Sequence, residues 1–320
     1  MDVLTDVLDS LRFRSTLYCR VELGAPWGLQ FAPTPVAVFH VIERGAGWLT
    51  VDGEAQPFPV CGGDLLVLTN GAGHRLADEL DRPPVVTIEL GKDAPESPEL
   101  RCYTGEGGTT VLMCGLFDLE QRRGHPLLSV LPPLLHIKGS NGQTAPWLDS
   151  TLRFLASEVR TPSLGRDTLV RRLTDILFIQ VVRAWAESEG GQARGWLAAV
   201  HDPQIGAALQ LVHRFPERAW TVAELAAAVH MSRSAFAAQF ATLVGEPPLR
   251  YLRRWRMQRA IDLLCHTDAP IAAVGATVGY HSEVAFSQVF KREVGLAPQT
   301  FRRQHTARGR ETERGRAPVG

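Results

Sequence analysis

Arginine gathers on one short stretch of this 320-residue chain. In LRYLRRWRMQRAIDLLCH (residues 249–266), helical periodicity turns Leu252, Met257, Ile261 and Leu264 to one side and Arg253, Arg254, Arg256 and Arg259 outward. Guanidinium groups at that spacing suit the phosphates of a polyanion. The charge balance agrees. Lys+Arg and Asp+Glu are each 34 over the whole chain, yet residues 205–320 hold 16 basic against 9 acidic, and the residues before them 18 against 25. Only the back half is therefore expected to meet nucleic acid. The other reactive side chains are five cysteines, at 19, 61, 102, 114 and 265, with no CxxC pair. No apolar run reaches the roughly 20 residues of a membrane span, and MDVLTDVLDSLRF carries acids where a signal peptide needs basic charge. It reads as a short amphipathic helix. The expectation is a cytoplasmic protein, without a membrane partner, whose thiols stay reduced.

The arginine helix joins two copies of one unit. TVAELAAAVHMSRSAFAAQFATLVGEPP and PIAAVGATVGYHSEVAFSQVFKREVGLAP align at an offset of 49 up to Val229/Val278 and of 50 from Phe236/Phe286 onward. The slip falls in a turn, where an extra residue is tolerated. Each copy predicts a short helix, a turn and a second helix. Ser232 is the expected N-cap of the first copy's second helix, and His281-Ser282 stands there in the other. Phe236/Phe240 and Phe286/Phe290, each at i,i+4, face the core, so the opposite face of each second helix points out. A helix–turn–helix presents that face to the major groove. A connecting helix of about 15 residues, over 20 Å long, holds the two faces about one DNA turn apart.

The front half has a different period. VAVFHVIE, GWLTVDG, DLLVLT, VVTIEL and TTVLMCGLF are short, β-branched runs punctuated by glycine. From residue 144 the period becomes helical. Trp147, Leu148, Leu152 and Leu155 form one apolar stripe, and Leu169, Leu173, Ile176, Leu177, Ile179 and Val181 another. Packing against the strands and a homodimer interface are both open for these helices. Glu187–Arg194, with a Gly-Gly pair, reads as a linker, and residues 306–320 as a disordered tail.

These motifs carry two resemblances. ELA, MSxSAFxxxF, RMxxAxxLL, VGY, FxxxFKREVGLAPxxFR and the final Phe301-Arg302 resemble the DNA-binding domain of AraC-type transcriptional regulators over residues 203–304. VIERGAGWLTVDGE followed by GGDLLVLTNGAGHRL resembles the cupin jelly roll. The implied architecture is α+β: a cupin-like β-barrel (1–140), a helical dimerisation or linker segment (141–200), an all-α domain with two helix–turn–helix motifs (201–305), and the tail. The implied function is a DNA-binding regulator, an activator that engages RNA polymerase, gated by a signal at the front domain. By resemblance, Arg233, Ser234, Ala237 and Ala238 are the reading face of the first copy, and Glu283, Val284, Ser287 and Gln288 that of the second. Arg253, Arg254, Arg256, Lys291 and Arg292 meet phosphates or pack locally. The two alanines leave direct readout in the first copy to Arg233 and Ser234, although alanine can touch a thymine methyl.

The front half is most similar to the branch of that family that includes the reactive-chlorine-responsive activator. Cys19 and Cys114 fall where that sensor has cysteines, so thiol oxidation is one expected input; packing as small hydrophobes is the other reading. His74 stands where cupins place the histidine of their second motif, while the strand Pro35–Glu43 offers only His40 in place of HxH. That argues against the alternative of a cupin metalloenzyme with an accessory helical domain. In a cupin barrel His40 and His74 lie on neighbouring strands. Were Cys19 and Cys114 to approach them, the four would make a Cys2His2 set for Zn²⁺, with sulfur at about 2.3 Å. A small molecule in the barrel is the remaining candidate signal.

Overall fold

The computed structural model describes residues 3–9, 13–90, 99–103, 105–119, 127–128, 131–139, 146–160, 163–188 and 195–304. The expected tail and most of the linker lie outside these residues, as does the Cys102 side chain. The chain divides into two units, one of Arg12–Arg122 with Leu128–Gly190, the other of Met1–Leu11, Arg123–Leu127 and Gly191–Gly320.

The first unit carries eleven described strands: β1 (Phe13–Gly24), β2 (Gly28–Phe31), β3 (Ala37–Arg44), β4 (Ala46–Val51), β5 (Phe58–Cys61), β6 (Leu65–Leu68), β7 (His74–Ala77), β8 (Val86–Ile88), β9 (Glu99–Tyr103), β10 (Thr109–Leu119) and β11 (Leu134–Ile137). They form a six-stranded sheet in the order β11-β6-β3-β10-β1-β9 and a five-stranded sheet in the order β5-β4-β7-β2-β8. The expected closed barrel is not formed. Among the described residues no ladder joins the two sheets. The edge strands β5, β8, β9 and β11 have only 4, 3, 5 and 4 residues, too few to carry the hydrogen bonding round a corner. The sheets face one another instead, around one core that takes Val21, Leu23, Val38, Ile42, Leu66 and Leu112 from the larger sheet and Leu29, Phe31, Leu49, Val60 and Leu76 from the smaller. Gly45, between β3 and β4, has φ +94°, and a Cβ there would meet Thr110, which accounts for the glycine in VIERGAG.

The outer face of the six-stranded sheet is also buried. Leu17, Phe39, Val41, Leu65, Val67, Met113 and Phe117 are at most 2% exposed. Two helices, α2 (Pro146–Arg160) and α3 (Arg166–Glu187), accompany the sheets in this unit. Phe117 meets Phe178 of α3 edge-on at 5.0 Å and stacks on Phe39 at 4.7 Å. The buried stripe of α3 is Val170, Thr174, Leu177, Phe178, Val181, Val182 and Ala186. Leu169 and Ile176, from the stripe for which packing and an interface were both open, are 44% and 46% exposed, and Phe154 and Leu164 are exposed as well.

The second unit is helical: α1 (Val3–Asp9), α4 (Gly195–His201), α5 (Pro203–Arg214), α6 (Val222–Ala228), α7 (Arg233–Val244), α8 (Pro248–His266), α9 (Ile271–Thr277), α10 (Glu283–Val294) and a last helix over 298–304. The N-terminal helix thus belongs with the back half. Its Asp6 carboxylate lies 3.6 Å from Nδ1 of buried His213 on α5. That ring stacks on Trp255 at 3.9 Å, and its Nε2 is 2.7 Å from the Tyr251 hydroxyl, which also accepts from Trp196 Nε1. No described helix is long and apolar enough to cross a membrane.

Phe117→Ala empties the seam between sheet and helix layer. The expected loss is about 3–5 kcal/mol of unfolding free energy. Urea denaturation followed by circular dichroism measures it, and a loss below 1 kcal/mol would show that the seam is not a packed interface.

Candidate nucleic-acid interface and buried relay

The two repeated units end and begin their helices by matching local chemistry. Thr221 and Glu224 form a capping box at the start of α6. Ser232 accepts from Ala235 N to cap α7, and Ser282 from Ala285 N to cap α10. His230 (φ +56°) and Gly279 (φ +86°) hold the left-handed position that ends α6 and α9, with Met231 N donating to Ala226 O and Tyr280 N to Gly275 O. One residue separates His230 from its following N-cap and two separate Gly279 from its own, so the extra residue sits in the turn. α7 and α10 both end at a glycine with positive φ, Gly245 and Gly295.

Phe236, Phe240, Phe286 and Phe290 are fully buried. On α7, Arg233, Ser234 and Ala238 are exposed and Ala237 is half-buried; on α10, Glu283, Val284 and Gln288 are exposed and Ser287 is half-buried. The connecting helix α8 has 19 residues and buries Leu252, Met257, Ile261 and Leu264. Its arginines do not behave alike. Arg253 is exposed. Arg254 pairs with Glu246 at 2.6 Å, and Arg256 donates to the Pro216 and Arg218 carbonyls. Lys291 and Arg292 are exposed.

In the sheet unit, strand register assembles the four predicted sensing residues. His40 pairs with Cys114 across β3/β10, and Cys114 with Cys19 across β10/β1. The β1/β10 register slips by one residue between Leu17 and Cys19. That bulge reverses the strand's parity. Leu17 therefore faces the outer side of the sheet, while Cys19 joins the core between the sheets. From the opposite sheet, His74 reaches across: its Nε2 is 2.7 Å from His40 Nε2. His40 Nδ1 is 3.0 Å from Cys114 Sγ, and His74 Nδ1 is 2.8 Å from the Ala72 carbonyl. Phe31 stacks on His74 at 4.7 Å.

A carbonyl only accepts, and that fixes every proton. His74 donates from Nδ1, so its Nε2 must accept from His40 Nε2–H. His40 Nδ1 then accepts the Cys114 thiol proton, and Cys19 completes the row by its hydrogen bond to Cys114. Burial keeps the relay neutral. It holds His40 well below the usual imidazole range, with His74 adding to the effect, and lowers His74 to about 4. The Cys114 thiol is pushed well up by its bond to Cys19 and by burial. All four side chains are at most 2% exposed.

The same geometry corrects the expected Zn²⁺ set. Cys114 and His74 engage opposite nitrogens of the His40 ring, so no one ion can take His40, His74 and Cys114 together. Two nitrogens sharing a tetrahedral zinc stand about 3.3 Å apart at ordinary bond lengths, not 2.7 Å. Among the described residues, no group of three or more His, Cys, Asp or Glu could hold a metal ion. Sequence reasoning found the four residues but missed Phe31 and the Ala72 carbonyl, because neither carries a reactive side chain.

A folded-state pKa of about 4 for His74, against 6.5 ordinarily, makes the unfolded chain bind more protons between those values. Stability contributed by this ring is complete above pH 6.5 and falls by roughly 1.4 kcal/mol per pH unit toward pH 4. Urea midpoints of the sheet unit at pH 7 and pH 5 should differ in that sense, and His74→Asn should flatten the dependence. Equal midpoints for wild-type protein would refute a neutral buried ring.

Comparison with known proteins accords with both halves. The Cupin family matches residues 2–187 and the helix-turn-helix domain family residues 225–304. The chain is 33% identical to a putative AraC-like transcription regulator of Streptomyces antibioticus, over 95% of this chain and 99% of that protein. It is 31% identical to the HTH-type transcriptional regulator AlkR of Acinetobacter baylyi (strain ATCC 33305 / BD413 / ADP1), over 95% and 100%. Identity to the RCS-specific HTH-type transcriptional activator RclR of Escherichia coli (strain K12) is 27%, over 94% and 97%, so that branch is not singled out. These relatives are regulators and not enzymes, and the matched helix-turn-helix domain is the one built above from two N-capped, phenylalanine-anchored units. The chain belongs to the AraC-type DNA-binding transcriptional regulators with an N-terminal cupin-like domain.

Proposed function

We propose that this regulator reads double-stranded DNA as two half-motifs. Arg233, Ser234, Ala237 and Ala238 face the first half-motif, and Glu283, Val284, Ser287 and Gln288 the second. The observation that carries the reading is the equivalence of α7 and α10: same capping serine, same inward phenylalanine pair, same outward face. Gln288 has the geometry for adenine N6/N7 and Glu283 for cytosine N4, while Ala238 leaves room for a thymine methyl. Arg253, Lys291 and Arg292 neutralise phosphates, and Arg254 and Arg256 serve inside the domain. The protein acts as an activator, engaging RNA polymerase once bound. A homodimer forms through α2 and α3, supported by the exposure of Phe154 on α2, of Leu169 and Ile176 on α3, and of Leu164 between the two helices.

The input is thiol oxidation at Cys19 and Cys114. Their two thiols would give up two protons and two electrons to a two-electron oxidant such as hypochlorous acid, forming a disulfide. What supports it is that the Cys114 proton is the donor to His40 Nδ1, so its removal leaves that buried nitrogen without a donor. The raised pKa of the Cys114 thiol keeps that sulfur protonated at rest.

Two measurements test this. Arg233→Ala and Gln288→Ala should each cost about 1–3 kcal/mol on DNA from upstream of the protein's own gene and relax preference at one base. A uniform loss on unrelated duplexes would move those residues to phosphates. For the input, the double variant Cys19→Ser/Cys114→Ser should lose the response of DNA binding to hypochlorous acid. A normal response in that variant sinks the thiol reading and turns attention to a small molecule in the sandwich.

A further inference from the structure

We propose that Arg256 is a positioning residue that fixes the separation of the two recognition helices and so sets which half-motif spacing the protein accepts. The proposal rests on the two-half-motif reading above.

Arg256 lies midway along α8, the one element that joins the two repeats. Its Nε donates to the Pro216 carbonyl at 2.6 Å and its Nη2 to the Arg218 carbonyl at 2.8 Å. Both carbonyls belong to the loop that feeds α6 and the first helix–turn–helix. The other side of the same guanidinium stands 5.7 Å from the centre of the Tyr280 ring and is hydrogen-bonded to that side chain. Tyr280 is in the turn of the second helix–turn–helix, where it packs against Phe286 of α10 at 5.8 Å. One planar group therefore touches the entry of the first motif and the turn of the second.

The two motifs also meet directly at this point. Gly279 has φ +86°, and a Cβ there would come within 2.6 Å of the Glu217 carbonyl and 2.8 Å of the Arg256 guanidinium. No side chain fits between the loop, the turn and the guanidinium. Arg218, whose carbonyl Arg256 holds, lies over Trp220 at 4.0 Å and pairs with Glu224 of α6, so the clamp is continuous with the first motif's leading helix. Burial lowers the pKa of Arg256, partly offset by Tyr280 and Glu217. Two of its donors are already committed to main-chain carbonyls, which leaves the group poorly placed to neutralise a phosphate. A lysine offers a point charge and cannot reproduce the planar fork.

The test selects from a random-sequence duplex library with the full chain. Wild-type protein should enrich two half-motifs at one separation, near a DNA turn of about 34–36 Å. Arg256→Gln and Arg256→Lys should keep the sequence of each half-motif while accepting a spread of separations. Linked modules gain about 10²–10⁴-fold over one module alone, and that gain should fall by roughly tenfold in both variants. Tyr280→Phe should broaden the separation in the same sense, and it decides the matter if the Arg256 variants unfold. Three results overturn the proposal. One is an unchanged, single separation in folded variants. Another is full rescue by lysine with a lower salt slope, which would make Arg256 a phosphate contact. The third is loss of one half-motif's sequence alone, which would make it a base contact. Enrichment of only one half-motif by the wild-type chain would instead defeat the two-half-motif reading itself.

Discussion

The central strand β10 is buried on both faces, and the sheet unit depends on that constraint. Leu112 and Cys114 point into the space between the sheets, while Met113 and Phe117 point the other way, to the face where Phe117 meets α3. Alternation along a strand is strict, so the position of Cys114 and the packing of Phe117 cannot be adjusted independently. Gly115, between them, leaves no room even for a methyl group: a Cβ would meet the Phe39 ring and the Thr16 carbonyl. Cys114 and the Phe117 ring that meets α3 therefore sit on opposite faces of one strand, three residues apart.

The polar relay is tolerable in an apolar core because none of its atoms is left unpaired. Each ring nitrogen has one partner, the Cys114 sulfur has two, His40 and Cys19, and the series ends on a main-chain carbonyl. An unpaired imidazole nitrogen in this place would cost about 1–3 kcal/mol. The relay also joins the two sheets where no backbone ladder does. In an open sandwich, which lacks the closure of a barrel, such a cross-sheet bond fixes the facing register of β3 and β7.

What was legible in the sequence was local. The repeat, its capping serines, the phenylalanine pairs and the slip in the turn are all set by neighbours within four or five residues, and the structure contains each of them. The strands themselves were equally plain from VAVFHVIE and TTVLMCGLF. What was not legible depended on distant partners. Barrel closure requires edge strands to find one another, and short edges such as Val86–Ile88 do not. The inward face of Cys19 depends on a bulge that no residue type announces. The buried face of α3 is rotated by one position, from Leu169 to Val170, because the sheet it meets chooses the face and the helix is apolar nearly all round over residues 176–182. Arg254 and Arg256 looked like their neighbour Arg253, since a helical period separates inside from outside but does not reveal which outward arginine has a carbonyl or carboxylate within reach.

The same distinction explains why the two halves of the DNA-binding unit differ in character while sharing a frame. The frame residues, Phe236/Phe240 and Phe286/Phe290, are fully buried in both copies, and burial leaves them little freedom. The outward residues are under no such packing constraint. One copy offers Arg233, Ser234 and two alanines, the other Glu283, Val284, Ser287 and Gln288. Alanines on α7 permit a close backbone approach to the groove floor with few hydrogen bonds. The longer side chains of α10 suit a helix that reads base edges by donors and acceptors. The two outward faces thus differ in chemistry while standing on one frame, joined by the 19-residue helix between them.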